Sequence, residues 1–237
     1  MVFSDSALNQ GIVQQTRALT RVDSTQWTTA KIVASANNWL DFVAGYAIGA
    51  DRRFQWDDTN HTALPSGTTP LTIAQSDYSF MTDAQGNTVI TLIGVSILQN
   101  GRYEPLTPVD RNDPHYDTST FGQDTGTPTE YDKISDSIVR LDKKPAATVA
   151  TGLKFYFQRT PSYFIATDTT KQPGVSPLLH RGFVIAAAYD CALTLGLPNI
   201  QALAVEKNME QEKMVRYFAE RNQDETIIFV PEWQPYE

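Results

Sequence analysis

The chain has 237 residues, one cysteine, 41% hydrophobic residues and a formal net charge of −8. One cysteine excludes an intrachain disulfide framework. An acidic chain also lacks the basic footprint that phosphate contacts with nucleic acid require. We expect no membrane span, since no run of about 18 apolar residues occurs, and no signal peptide, since the basic-then-apolar N-terminal pattern is missing. This length predicts one large domain, or one domain with an insertion.

Two helices are predicted within the first fifty residues. Residues 5–20 show a fair helical period. The second helix is clearer, because apolar residues recur at alternating three- and four-residue steps after Ser24 or Thr25, either of which can cap a helix. Gly45 and Gly49 lie near its end, where each glycine costs about 1 kcal/mol relative to alanine. We interpret this pair as a site of close approach by a neighbouring backbone.

A block of strand-like sequence follows the turn-rich passage at residues 51–70. Asn100-Gly101 suits the tight turn of a hairpin. Because no helix separates the strands, we expect antiparallel pairing in a sheet or small sandwich. Residues 110–132 contain no convincing strand and are predicted to form a long surface loop. The candidate strands cover residues 71–74, 77–81, 88–98, 102–106, 136–142, 149–158 and 162–166.

The most apolar stretch of the chain is residues 176–196. Ser176 can cap the start of a helix there, and Pro177 fits its first position. Gly196 can end it in the left-handed conformation. A helix that is apolar nearly all round is covered on most sides. We therefore predict the central helix of the core, in which Cys191 is a small buried hydrophobe.

A fourth helix is predicted over about residues 199–221. Because its middle is polar, we expect the helix to project from the protein or to lie along a solvent-exposed surface. The predicted fold class is α+β: about four helices, two N-terminal and two C-terminal, form a bundle that a central antiparallel β insertion interrupts. The predicted segments are the N-terminal half of the bundle (1–69), the β insertion (70–166), the C-terminal half of the bundle (167–223) and an extended C-terminal tail (224–237).

The sequence contains no recognisable pattern of a catalytic site. Carboxylate and imidazole mixtures can hold divalent ions, but the spacings here match no defined site, and aspartate is common in loops because it satisfies the local backbone. His180, beside Arg181 at a helix start, is interpreted as a surface or interface residue. We predict that the chain is not an enzyme and has no catalytic, cofactor-binding or metal-binding residue. The best rejected metal candidates are Asp57, Asp58 and His61, and Asp110, Asp113, His115 and Asp117.

The C-terminal tail carries an apolar run that indicates a partner interface. The run comes too late in the chain, and too many prolines follow it, to begin another core element. Strand addition to a neighbouring chain uses such a segment, because backbone hydrogen bonds supply affinity and alternate side chains fill pockets. The alternative is a strand that folds back onto the chain's own β block. The predicted interface residues are Ile227, Ile228, Phe229, Val230 and Trp233.

Three passages together resemble a known family. They are Trp-Asp-Asp-Thr-Asn-His at residues 56–61, Tyr-Ser-Phe at 78–80, and Pro-Gly-Val-Ser-Pro at 173–177 with the Ala-Ala-Ala-Tyr-Asp helix that follows it. Over roughly residues 20–222 the chain resembles the head-to-tail connector or adaptor proteins (head completion proteins) of tailed bacteriophages. The resemblance implies a helical bundle with a β insertion, assembled into a homo-oligomeric ring, commonly of twelve copies, that is docked under the portal in the virion neck.

The same resemblance implies the partners of the chain. These are further copies of the chain in the ring, the portal protein, and tail or nozzle proteins. The resemblance implies no contact with a membrane, and it implies that the chain is made in the host cytoplasm. DNA would pass through the channel without specific binding, and an acidic wall repels phosphate. Two alternatives remain open: another neck or tail completion protein of the virion, and a metal-dependent hydrolase that uses the loop at residues 110–117.

Overall fold

The computed structural model describes residues 1–50, 66–80, 88–110 and 119–220. Within these ranges the chain is α+β, with four α-helices and two mostly antiparallel sheets, so the predicted fold class is confirmed at this level. A short 3₁₀ turn, Pro177–Leu179, leads into the third helix. The helices are α1 (Ile12–Thr20), α2 (Thr29–Ala50), α3 (His180–Leu195) and α4 (Ile200–Glu220).

The described strands form two four-stranded sheets. The first sheet has the strand order β1-β8-β3-β4 and the second has the order β2-β7-β6-β5. All pairs between these strands are antiparallel except β5–β6, which is parallel, so the prediction of antiparallel pairing is wrong for that pair alone. The strands are β1 (Ser66–Leu71), β2 (Asp77–Ser79), β3 (Val89–Gln99), β4 (Arg102–Pro105), β5 (Thr107–Pro108), β6 (Glu130–Lys133), β7 (Ile138–Leu141) and β8 (Val149–Arg159).

The turn between β3 and β4 is the hairpin that the sequence predicted. Asn100 has a φ of 49° and Gly101 a φ of 79°. Both central residues of a type I′ turn need positive φ, which asparagine and glycine adopt most readily. Gln99 consequently lies opposite Arg102 in the register of the pair.

The first helix begins later than predicted. The Asp5 carboxylate accepts hydrogen bonds from the backbone N–H groups of Ala7 and Leu8 at 3.1 and 3.0 Å, which fixes a turn instead of a helix. Asn9 then adopts a φ of 56°, outside the right-handed helical region. The helix therefore covers only the second half of the predicted range 5–20.

The second helix also begins later than predicted, and neither Ser24 nor Thr25 caps it. The Asp23 carboxylate accepts hydrogen bonds from the N–H groups of Thr25 and Gln26 at 2.8 and 3.0 Å. These bonds hold a separate turn ahead of the helix. The helix itself starts at Thr29.

Four predictions about strands are wrong. Residues 66–70, predicted as part of a turn-rich passage, lie in β1. Residues 72–74 lie beyond the end of β1, and Ala74 has a φ of 62°. Residues 162–166 form no strand, because the Asn37 side chain accepts from the Phe164 N–H at 2.9 Å and donates to the Phe164 carbonyl at 3.1 Å. Those two bonds hold the segment on α2. Residues 110–132, predicted to lack a strand, contain most of β6, whose Tyr131 is buried between the sheets.

The central position of α3 is confirmed. It packs against α1, α2 and α4, and Gly196 ends it with a φ of 65°. The predicted cap by Ser176 belongs instead to the 3₁₀ turn, where the Ser176 hydroxyl accepts from the Leu178 N–H, and α3 itself starts at His180 without a side-chain cap. Among the described residues, Pro177–Leu195 is long and apolar enough to cross a membrane by length and composition, but 61% of that window is buried inside the protein. Burial on several sides by protein is what the core helix of a folded domain shows.

Close backbone approach occurs at Gly182 of α3, not at the glycines of α2. A Cβ atom on Gly182 would lie 2.9 Å from Nε1 of Trp39, so only glycine fits against that indole. No described atom lies within 4 Å of a Cβ built on Gly45 or Gly49, which makes the interpretation of that pair wrong within the described structure.

The two sheets share a second core. Side chains from the inner faces of both sheets pack together, as in a small sandwich. Within the described ranges the buried members of this core are Leu71, Tyr78, Phe80, Val89, Val95, Ile97, Leu106, Tyr131, Val139, Leu141, Leu153, Phe155 and Phe157.

The burial of α3 predicts how two neighbouring alanines respond to substitution. Ala187 and Ala188 are both 0% exposed. Ala187→Gln with Ala188→Gln overpacks the core and buries unpaired amides, which we expect to lower the free energy of unfolding by about 2–5 kcal/mol or to prevent soluble folding. Urea denaturation measures the change. Leu193→Gln, at a position 57% exposed on the same helix, is the control and should cost little; a double variant as stable as the parent would contradict the central role of α3.

Candidate interaction surface

An open cleft of about 460 Å³ lies between the 3₁₀ turn and the C-terminal half of α4. We call it the α4 cleft. Its long side is one face of α4, because residues three and four apart lie on the same side of a helix. The described residues that line it are Leu178, Leu179, Met209, Glu210, Glu212, Lys213, Arg216 and Tyr217.

Lys213 joins the two sides of the α4 cleft. Its ammonium group donates a hydrogen bond to the Leu178 carbonyl at 2.8 Å and lies 3.4 Å from the Glu210 carboxylate. The hydrogen bond links the turn before α3 to a residue 35 positions later in α4. The cleft is therefore shaped by side-chain contacts of the folded chain and is formed before any partner binds.

Two apolar side chains of the α4 cleft, and a third beside it on α4, are mostly exposed. Leu178 is 66% exposed and Met209 is 63% exposed, and Val205, one helical turn before Met209, is 60% exposed. Single exposed apolar residues are ordinary, but a group of them in a concave site marks an interaction surface. This arrangement fits an apolar partner segment better than a polar small molecule.

Two charged side chains in the α4 cleft lack a partner in the described part of the chain. Neither Arg216 nor Glu212 forms a hydrogen bond or an ion pair with another described residue. Both also line an adjoining concavity of about 540 Å³, which extends the surface along α4 towards Val215. Among the described residues, the surface thus combines apolar contact area with one cation and one anion that have no partner.

A second groove, of about 370 Å³, lies between α2, α3 and α4 but is a weaker candidate. Its charged groups already interact: Lys207 Nζ lies 3.8 Å from the Asp190 carboxylate and 4.5 Å from the centre of the Tyr189 ring. Trp39 and Phe42 supply its apolar wall. No unpaired charge of these residues remains to select a ligand.

His180 is buried, and its interpretation as a surface residue is wrong. It is 3% exposed, its Nε2 lies 3.0 Å from the Val175 carbonyl, and its Nδ1 lies 2.9 Å from the amino nitrogen of Met1. Burial lowers the pKa of His180, and the hydrogen bond to Val175 opposes this in part. Its neighbour Arg181 faces outward instead and pairs with Glu206 at 3.0 Å.

The described residues offer no metal centre. No group of three or more His, Cys, Asp or Glu side chains within them could hold a metal ion. Cys191 is buried, and burial raises the pKa of its thiol, as expected for a small core residue. Asp110 is described and exposed. The other rejected metal candidates, Asp57, Asp58, His61, Asp113, His115 and Asp117, lie outside the described residues.

The predicted tail interface also lies outside the described residues, so Ile227, Ile228, Phe229, Val230 and Trp233 stay a prediction. Sequence reasoning missed the α4 cleft. Its signal is an isolated Met209 in the polar middle of α4, together with a leucine that follows Pro177. Neither residue indicates a shared cleft until the chain is folded.

Comparison with known proteins adds no family assignment. No protein-family model matches the chain, and no curated protein matches it significantly. The resemblance to the connector proteins therefore remains a prediction.

The burial of His180 predicts a pH dependence of stability. The pKa of His180 in the folded chain lies below the unfolded value of 6.5, so the unfolded chain binds the proton first as the pH falls. The free energy of unfolding then decreases as the pH drops below about 6.5. The decrease ends once the pH is below the pKa of His180 in the folded chain. Urea denaturation between about pH 7.5 and pH 5 should show this decline, and His180→Gln should reduce its slope. An unchanged slope in His180→Gln would mean that other groups cause the decline.

Proposed function

We propose that this chain is a structural protein of a tailed-phage virion: a head-to-tail adaptor that forms a ring, joins the portal to the tail and lines the DNA channel. The observation that supports it best is the α4 cleft, where a formed site leaves Leu178 and Met209 open to solvent. Such a surface suits assembly with another protein chain. The sequence resemblance supplies the particular assembly.

The proposal includes the finer architecture. The four helices would form one bundle, and the β insertion predicted at residues 70–166 would lie between its halves, with its start moved to Ser66 because β1 begins there. In support, α1 and α2 precede all the described strands and α3 and α4 follow them, while α3 packs against helices from both ends of the chain. The sheets have a core of their own, which suits an inserted unit.

The net charge agrees with the proposed location in the virion neck. At −8, the chain would repel DNA phosphates, which suits the wall of a channel that DNA must pass without sticking. The proposal requires no catalysis from the chain. The alternative, another neck or tail completion protein, would use the same surface with a different partner, so the partner that co-purifies discriminates between them.

The test is the mass and shape of the purified full-length chain, alone and mixed with a portal ring. Light scattering and negative-stain microscopy should show ring-shaped particles, either alone or on the portal, with a mass many times the 26.4 kDa of one chain. Ala187→Gln with Ala188→Gln, which disrupts the core, is the negative control. A chain that stays at 26.4 kDa in both conditions would contradict the proposal.

A second test concerns the tail. We expect deletion of residues 224–237 to leave the melting temperature of the monomer within about 2 °C of the full chain, because the proposal assigns the tail to a partner chain and not to the cores of its own chain. Assembly, followed by light scattering against protein concentration, should weaken. A deletion that destabilises the monomer would instead indicate that the tail folds back onto its own chain. A deletion that assembles normally would show that the tail is not an interface.

A further inference from the structure

The α4 cleft has the chemistry of a receptor for an apolar peptide segment. Its described lining includes Leu178, Met209 and Lys213, and Lys213 fixes the turn to the helix through the 2.8 Å hydrogen bond to the Leu178 carbonyl. Arg216, on the same face, has no partner among the described residues. A preformed site of this kind binds at a lower entropic cost, because only the incoming segment must become ordered.

We propose that the occupant of the α4 cleft is residues 227–233 of a second copy of this chain. The inference rests on the proposed ring, and it names the contact between neighbouring subunits. In a ring of identical copies each subunit supplies one tail and one cleft. The contact between neighbours is therefore heterologous, because two different surfaces meet, and it repeats around the closed ring.

The composition of the tail complements the cleft. Residues 227–230 are Ile-Ile-Phe-Val, and Trp233 follows, which gives the segment large apolar side chains for the exposed Leu178 and Met209. Residues 221–237 contain one arginine against four carboxylate side chains. Arg216, which has no partner among the described residues, offers these carboxylates an ion pair. Glu212, one helical turn earlier and likewise without a described partner, would repel carboxylates that lie closer to the middle of α4.

The length of the tail suits a neighbouring copy. The helix α4 ends at Glu220, beside Arg216 and Tyr217 of the cleft. The thirteen residues from there to Trp233 span at most about 45 Å when extended. A compact chain of this size has a radius of gyration of about 18 Å, and hence a width of about 45 Å. The tail can therefore cross to an adjacent subunit.

The sequence between the end of α4 and the apolar run of the tail favours binding to the cleft of a second copy over binding to the cleft of the same chain. To fill its own cleft, the tail would have to reverse direction at once and run back along the helix that it leaves. Residues 221–226 contain two residues that turns accept, Asn222 and Asp224, but neither glycine nor proline. A tail that continues outward meets the next subunit without such a turn.

Paired cysteine variants of the full chain test this contact. In a Cys191→Ala background, which removes the native cysteine, Leu178→Cys and Phe229→Cys are made separately, assembled together in equal amounts and oxidised. We expect a covalent dimer in the mixture and not in either variant alone. Leu193→Cys, 57% exposed and about four helical turns along α3 from the cleft, replaces Leu178→Cys as the matched control and should give no dimer.

Every other outcome of the cross-linking experiment contradicts the proposed contact between the tail and the cleft of a neighbouring copy. A double variant, Leu178→Cys with Phe229→Cys, that closes only within one chain would place the tail in its own cleft. Rings that form without any cross-link would contradict the contact but would not contradict the proposed adaptor function. A chain that neither forms rings nor cross-links would contradict both, and the mass of the particles distinguishes these two cases.

A disruption experiment supplies an independent measure. Leu178→Glu with Met209→Glu should raise the protein concentration needed for half-maximal assembly by about tenfold or more, because buried apolar anchors dominate such interfaces. The melting temperature of the monomer should not change, since both side chains are mostly exposed. Leu193→Glu is the matched control. Normal assembly of the cleft variant would overturn the inference.

Discussion

The burial of α3 on nearly all of its sides is the constraint on which the helical part of this protein depends. A helix that presents apolar side chains in every direction must be covered by partners. Here α1, α2 and α4 supply that cover, and Gly182 lets Trp39 approach its backbone at a distance that no other residue allows. The other helices consequently need only one apolar face each, and their remaining faces are free for other uses.

The position of α4 follows from this constraint. It turns Leu203, Met214 and Phe218 inward, so the opposite face, with Met209, remains in solvent. Lys213 then links that face to the turn before α3. The cleft is thus a consequence of how α4 covers α3, and a partner can use it without any rearrangement of the core.

Long-range hydrogen bonds fix the segments that connect the two cores. Asn37 of α2 holds both backbone groups of Phe164, which follows the last strand. Gln158 at the end of β8 donates to the Ile48 carbonyl at 3.3 Å. A buried polar group without a partner is costly, so these bonds also restrict how the chain can leave the sheets. They join these segments to α2 at positions where the sequence predicts only strands.

The features that local chemistry controls could be predicted from residues that are neighbours in the sequence. The 3₁₀ turn before α3 follows from Ser176 and Pro177, and the end of α3 follows from Gly196. The β3–β4 hairpin follows from Asn100-Gly101, because capping and positive φ depend on residues within a few positions. Only the tertiary structure decided the rest. The loss of a strand at residues 162–166 depends on Asn37, more than a hundred residues away, and the cleft depends on a bond between Lys213 and Leu178. Periodicity cannot reveal such contacts, because the partners meet only after the helices have packed.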